Sequence, residues 1–126
     1  MKYLGVDYGK KKIGLALSDG AIASIYKTLK INGLNDALYK IKKVIEQEEI
    51  ERVVIGVAES GESKALVKKF IKELKKYPKV VVIETDETLT SHDAKDLMLK
   101  IGVSKKEKED SYAAALILQN FLDSLN

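Results

Sequence analysis

The sequence predicts an α/β fold in which a mixed five-stranded sheet, three antiparallel strands followed by βαβ crossovers, is flanked by helices. Three observations carry that expectation. The first thirty residues read as short extended apolar segments broken at glycines; from Leu34 the apolar spacing switches to steps of four, three and four; and two later β-branched runs alternate with helical patterns. With 126 residues the chain has the size of one ordinary domain, so residues 1–126 are expected to form a single unit around one sheet.

The elements follow in order. Lys2 to Asp7 and Ile13 to Ser18 read as two buried strands joined through the turn containing Gly9, which makes a hairpin. Ile22 to Ile31 keeps extended character, with Ile25, Leu29 and Ile31 apolar between Lys27 and Lys30, and is expected to add a third antiparallel strand. Leu34, Leu38, Ile41 and Ile45 then mark one face of an amphipathic helix, with Asn32 or Asn35 as its cap. Arg52 to Val57 has the continuous β-branched character of a strand covered on both faces, and Leu66, Phe70 and Leu74 mark a helix ending before Pro78. Lys79 to Glu84 is expected as the fifth strand, Ser91 to Ile101 as a short helix and Asp110 to Leu125 as the last helix. Three antiparallel strands followed by right-handed crossovers make the arrangement of the ribonuclease H-like superfamily.

Composition removes several kinds of chemistry. There is no cysteine, so a disulfide framework, a thiolate zinc site and a cysteine nucleophile are excluded, and His92 alone cannot build a multi-histidine metal site. Any metal has to be held by carboxylates. A charge at Lys2 and another at Asp7 interrupt the N-terminal apolar run, so neither a signal peptide nor a membrane span fits and the expected location is the cytoplasm. The formal net charge of +3 permits an anionic partner without demanding one. Among the 22 basic residues Arg52 is the sole arginine, so contacts to a nucleic acid are expected at its phosphates, through point-charge lysines.

Three acids stand where strands or helices end. Asp7 closes an apolar strand at a glycine turn, where its alternatives are a ligand and a turn residue bonding its own backbone. Glu87 lies in a βα loop at the carboxyl edge of the sheet, the place where open α/β folds put their sites; otherwise it is an exposed loop acid. Asp110 opens the last helix as an N-cap or as a ligand, and it shares a stripe with Ala114, Ile117, Phe121 and Leu125 that is expected to face the sheet beside the small Ala113. Brought together, three carboxylates are stable mainly when Mg²⁺ or Mn²⁺ neutralises them, and the matching chemistry is metal-assisted phosphodiester hydrolysis. Tyr8, Lys10, Lys11 and Lys12 could bring phosphates to Asp7, or could be a solvated hairpin tip. Ser18 and Asp19 are expected in a turn, with a supporting role near the site as the alternative. Asp86 and Thr90 are read as turn and cap residues, His92 as structural or exposed, and Lys105 to Lys108 as a solvated loop.

Five segments of the chain carry a family resemblance. They are Leu4-Gly5-Val6-Asp7-Tyr8-Gly9, Ile13 to Asp19, Val54-Ile55-Gly56-Val57, Asp86 to Ser91, and Lys108 to Ala114. In these the chain resembles the bacterial YqgF family, also called RuvX, whose members are similar to Holliday junction resolvases. The resemblance implies that Asp7, Glu87 and Asp110 form an acidic triad, that the cofactor is Mg²⁺ or Mn²⁺, and that the protein is a nuclease maturing the 5′ end of precursor 16S rRNA. Branched DNA is the alternative partner, and a resolvase would act as a homodimer where a simple nuclease could be a monomer. Lys12 and Thr88 stand where the family usually has arginine, and Val57-Ala58 where it has Leu-Pro. Loss of planar forks alters phosphate clamping. Glu59, just after the fourth strand, is kept as an alternate ligand. Two other classes of function compete: a non-catalytic nucleic-acid-binding module, against which the acids at all three positions argue, and an actin-like ATPase or sugar kinase, whose cleft needs two such domains.

Overall fold

The computed structural model describes residues 1–86 and 109–125, and of Glu109 and Asp110 only the backbone. Its strands are β1 (Tyr3–Tyr8), β2 (Lys12–Ser18), β3 (Ser24–Lys30), β4 (Arg52–Val57) and β5 (Val81–Asp86). Its helices are α1 (Leu34–Gln47), α2 (Gly61–Leu74) and α3 (Glu109–Ser124). The sheet order is β3-β2-β1-β4-β5. β1, β2 and β3 pair antiparallel, whereas β4 is parallel to β1 and β5 is parallel to β4, so the mixed sheet expected from the sequence is present. The expected helix at residues 91–101 lies outside the described residues.

Strand alternation sorts the apolar residues into two layers. Leu4 and Val6 of β1, Ile13 and Leu15 of β2, and Val53 and Ile55 of β4 pack against Ile41 and Ile45 of α1 and Phe70 and Leu74 of α2. On the opposite face Tyr3, Ala16 and Val54 pack under Ala114, Ala115, Ile117 and Leu118 of α3. β4 is thus covered on both sides, which is why its sequence shows no alternation.

Three local expectations need correction: the fifth strand, the cap of α1 and the end of the last helix. The fifth strand is shifted two residues along, to Val81–Asp86, because the Val81 N–H bonds the Glu51 carbonyl (3.1 Å) and the pairing with β4 continues to Val57 opposite Asp86. Asp86 is therefore a strand residue and not a turn residue. Neither Asn32 nor Asn35 caps α1: Gly33 is the N-cap, at φ 95°, and the Asp36 carboxylate reaches back to accept the Asn32 N–H at 2.8 Å. Glycine enters the helix at that angle without strain and Asp36 supplies the acceptor. Ser18 pairs with Tyr3, at the far end of β1 from Asp7, and its hydroxyl accepts the Gly20 N–H at 3.0 Å. It closes β2 and its side chain braces the turn that follows, which is the turn role expected of it. The last helix ends at Ser124, which leaves Leu125 57% exposed and outside the sheet-facing stripe that Ala114 and Ile117 do occupy.

Two glycines decide how closely α3 can lie on the sheet. A Cβ on Gly5 would come within 2.7 Å of the Ala114 carbonyl oxygen and 2.8 Å of Leu118 Cβ, and one on Gly56 would come within 2.5 Å of Ile117 Cδ1. The obstacle at Gly5 is helix backbone, which cannot rotate away as a side chain can. Gly5→Ala is therefore expected to lower unfolding free energy by about 1–3 kcal/mol through overpacking. Chemical denaturation checks it; a variant as stable as the wild type would show that α3 is free to lift.

Candidate active site at the carboxyl ends of the strands

Asp7 lies one residue from the end of β1, and alternation gives it the face of Tyr3 and Gly5, the face that α3 covers. The direction of α3 follows from two contacts. The ring of Phe121 lies 6.1 Å from that of Tyr3, and Ala114 meets the sheet at Gly5, so the helix runs back along β1 with its first turn toward Asp7. From the Gly5–Ala114 contact, Asp7 is two strand residues onward, roughly 7 Å, and the Asp110 backbone is four helical residues onward, roughly 6 Å. The two segments reach the same level.

A transverse row of residues pins that level. Asp7 pairs with Gly14 of β2, and Gly14 with Thr28 of β3. The Thr28 hydroxyl in turn is hydrogen-bonded to that of Ser111 at 2.8 Å, and Ser111 is buried in the first turn of α3. Gly14, at the middle of the row, puts no side chain between the strand carrying Asp7 and the one carrying Thr28. Hydroxyl pairing on one side and glycine packing on the other hold the helix start in place.

The lysines of the hairpin divide between the two faces. Lys12 begins β2 on the face of Gly14 and Ala16, the side of Asp7, whereas Lys10 and Lys11 border a pocket on the α1–α2 side. Tyr8 also faces that side, its ring stacked on Phe70 with centroids 4.4 Å apart and planes at 25°. Burial raises the Tyr8 phenol above its ordinary value of 10.0, so the hydroxyl stays neutral at physiological pH.

A second concavity, of about 400 Å³, opens at the carboxyl ends of β4 and β5. Glu59, the alternate acid, lines it with Asp86, Glu84, Lys64 and Lys68. Glu84 is held there by Lys68 and by Lys75, the latter at 3.2 Å, ties that join the end of β5 to α2. Among the described residues no three acids or histidines are grouped closely enough to hold a metal ion. Asp7 is the described member of the expected triad. Of Asp110 only the backbone is described, while Glu87, Thr88, His92 and residues 105–108 fall outside the described region.

Sequence reading missed Ser111 as the partner of Thr28, and it missed Lys69 and Leu66 of α2 beside the hairpin pocket. Ser111 left no signal beyond its place next to Asp110. Lys69 looked like any solvated helix lysine.

The model of the RuvX family, described as Holliday junction resolvase, matches residues 1–124. The chain is 35% identical to a protein of Carboxydothermus hydrogenoformans named "Putative pre-16S rRNA nuclease", over 98% of this chain and 96% of the relative. It belongs to the RuvX family of nucleases. Among solved structures, Thermus thermophilus RuvC is similar with a TM-score of 0.67 at 14% identity, covering 99% of this chain and 96% of that one; RuvC has also been solved with a Holliday junction substrate. The fowlpox virus Holliday junction resolvase matches with a TM-score of 0.68 at 16% identity over the full length of both chains. At such identities these two structures bear on the fold, which is ribonuclease H-like as expected.

The ion pairs of Glu84 make stability depend on acid. The hydrogen bond from Lys68 comes first, then that from Lys75, and together they outweigh burial and hold its carboxyl below the ordinary 4.5. A lowered folded-state value means that the contribution is fully present above pH 4.5 and is lost as pH falls through the folded value. Urea midpoints measured from neutral pH downward should therefore drop less in Glu84→Gln than in the wild type below that pH. Parallel curves would remove Glu84 from the acid response.

Proposed function

We propose that residues 1–126 act as one nuclease domain that hydrolyses phosphodiester bonds in structured nucleic acid with a divalent ion, Mg²⁺ or Mn²⁺, and that its substrate is precursor 16S rRNA. The observation that carries this reading is the row Asp7–Gly14–Thr28 under Ser111, which brings the first turn of the last helix level with Asp7. The ligands would be Asp7, Glu87 and Asp110. All are hard oxygen donors, the type such ions take. When bound, the ion would supply water activation and neutralise charge developing on the phosphate.

The chain's own residues do the rest. Asp7 holds its carboxylate at a strand end backed by a close-packed helix, so its position is preset before substrate arrives. Lys12, on the same face, attracts a phosphate to that edge as a point charge, where an arginine would grip it through two bonds. Lys10 and Lys11 extend positive charge around the tip. The rRNA assignment is supported by the relative's name and by membership of the family; four-way DNA is the second reading, supported by the family description and by the resolvases of the same fold. An active monomer would fit the first and a homodimer cutting two strands the second. The cytoplasm is the location that either substrate requires in a bacterium.

Purified full chain incubated with Mg²⁺ and matched panels of precursor 16S rRNA and four-way DNA junctions, followed by end mapping, separates the substrates. Asp7→Asn should keep the thermal midpoint near wild type while cleavage falls by orders of magnitude and the Mn²⁺ isotherm weakens. Wild-type cleavage by that variant would sink the assignment.

A further inference from the structure

The pocket on the α1–α2 side of the hairpin lies across the sheet from the face that Asp7 takes. Its space of about 350 Å³ lies at the small end of the roughly 300–1,000 Å³ typical of ligand pockets. Tyr8, Leu34 and Leu66 give it an apolar floor, and Lys10, Lys11 and Lys69 stand at its rim. Among the described residues no carboxylate lines it, in contrast to the cleft beside β5. Lys10 has only an exposed contact with Glu62 at 3.7 Å, and Lys11 and Lys69 have no ion pair among the described residues. Three lysines around apolar and aromatic surface, met among the described residues only by the exposed Glu62 carboxylate at Lys10, match a ligand that is part flat ring and part phosphate.

Resting on the nuclease reading above, we infer that this pocket receives one unpaired nucleotide of the substrate strand, its base against Tyr8, Leu34 and Leu66 and its phosphates at Lys11 and Lys69. The placement follows from the strand. Asp7 and Tyr8 are consecutive, so they take opposite faces of β1, and a chain laid over the hairpin tip would meet the lysines between them. Cutting would occur on the α3 side while a neighbouring nucleotide is anchored on the α2 side. Phe70 backs the Tyr8 ring and keeps it from turning into the pocket.

The test uses the metal-free full chain with labelled leucine methyl groups, titrated with pentauridylate RNA and, in separate arms, with uridine monophosphate and inorganic phosphate. The Leu34 and Leu66 methyl signals should shift saturably with the RNA. Lys69→Ala should weaken that binding about five-fold or more, with Lys69→Arg largely restoring it. Static methyl signals, or an unchanged affinity in Lys69→Ala, would overturn the proposal; equal affinity for uridine monophosphate and for the RNA would instead mark a free-nucleotide site and overturn the strand assignment. Asp7→Asn should give the same shifts, because it lies on the other face. If that variant still cleaves, the nuclease reading fails while the methyl result stands, so the two failures are distinguishable.

Discussion

Close contact between α3 and the sheet at Gly5 and Gly56 is the constraint on which the rest depends. A helix resting on ordinary side chains has room for shifts of register, whereas helix atoms that fill the place of two missing Cβ atoms have one seat. That seat sets the level of the first turn of α3. The Thr28–Ser111 hydroxyl pair then fixes its lateral position over β3. A site assembled from residues distant in sequence needs such rigidity, because a carboxylate displaced by an ångström no longer shares a ligand with its neighbours.

Charge is distributed differently on either side of this frame. Toward β5 the carboxylates of Glu59, Glu84 and Asp86 are interleaved with lysines of α2, and Glu84 is engaged by Lys68 of that helix and by Lys75 just past its end. Around the hairpin the lysines have, among the described residues, no such neutralisation beyond the exposed Lys10–Glu62 contact. Mutual screening leaves the first region nearly balanced and the second a source of positive potential that an approaching polyanion would meet first. With only one arginine in the chain, the basic groups there are point charges and not the planar forks that pair with base edges.

Much of the architecture was legible beforehand, because burial on one or both faces leaves a period in the sequence. The three-strand meander, the β-branched β4 between two layers and the helical spacing of Leu34, Leu38, Ile41 and Ile45 were all found where expected. Ends were less legible. The two-residue shift of β5 arises from a hydrogen bond between Val81 and Glu51, thirty positions apart, which no local pattern records. The cap of α1 depended on a glycine conformation and on Asp36 folding back, where asparagine is the usual choice.

By itself the sequence determined the fold class, the absence of thiol and multi-histidine chemistry, and the position of Asp7 at a strand end, since periodicity and composition are local properties of the chain. Tertiary structure decided which residues share a level and a face. Asp7 and Ser111 are separated by most of the chain yet joined through one row of sheet pairing, while the adjacent Asp7 and Tyr8 are parted by the pleat. Lys12 was divided from Lys10 and Lys11 in the same way, and Lys69 was brought to the hairpin only when α2 packed through Phe70 onto Tyr8. Strand pairing and helix packing join residues by distance in space, which a linear pattern carries only where the two coincide.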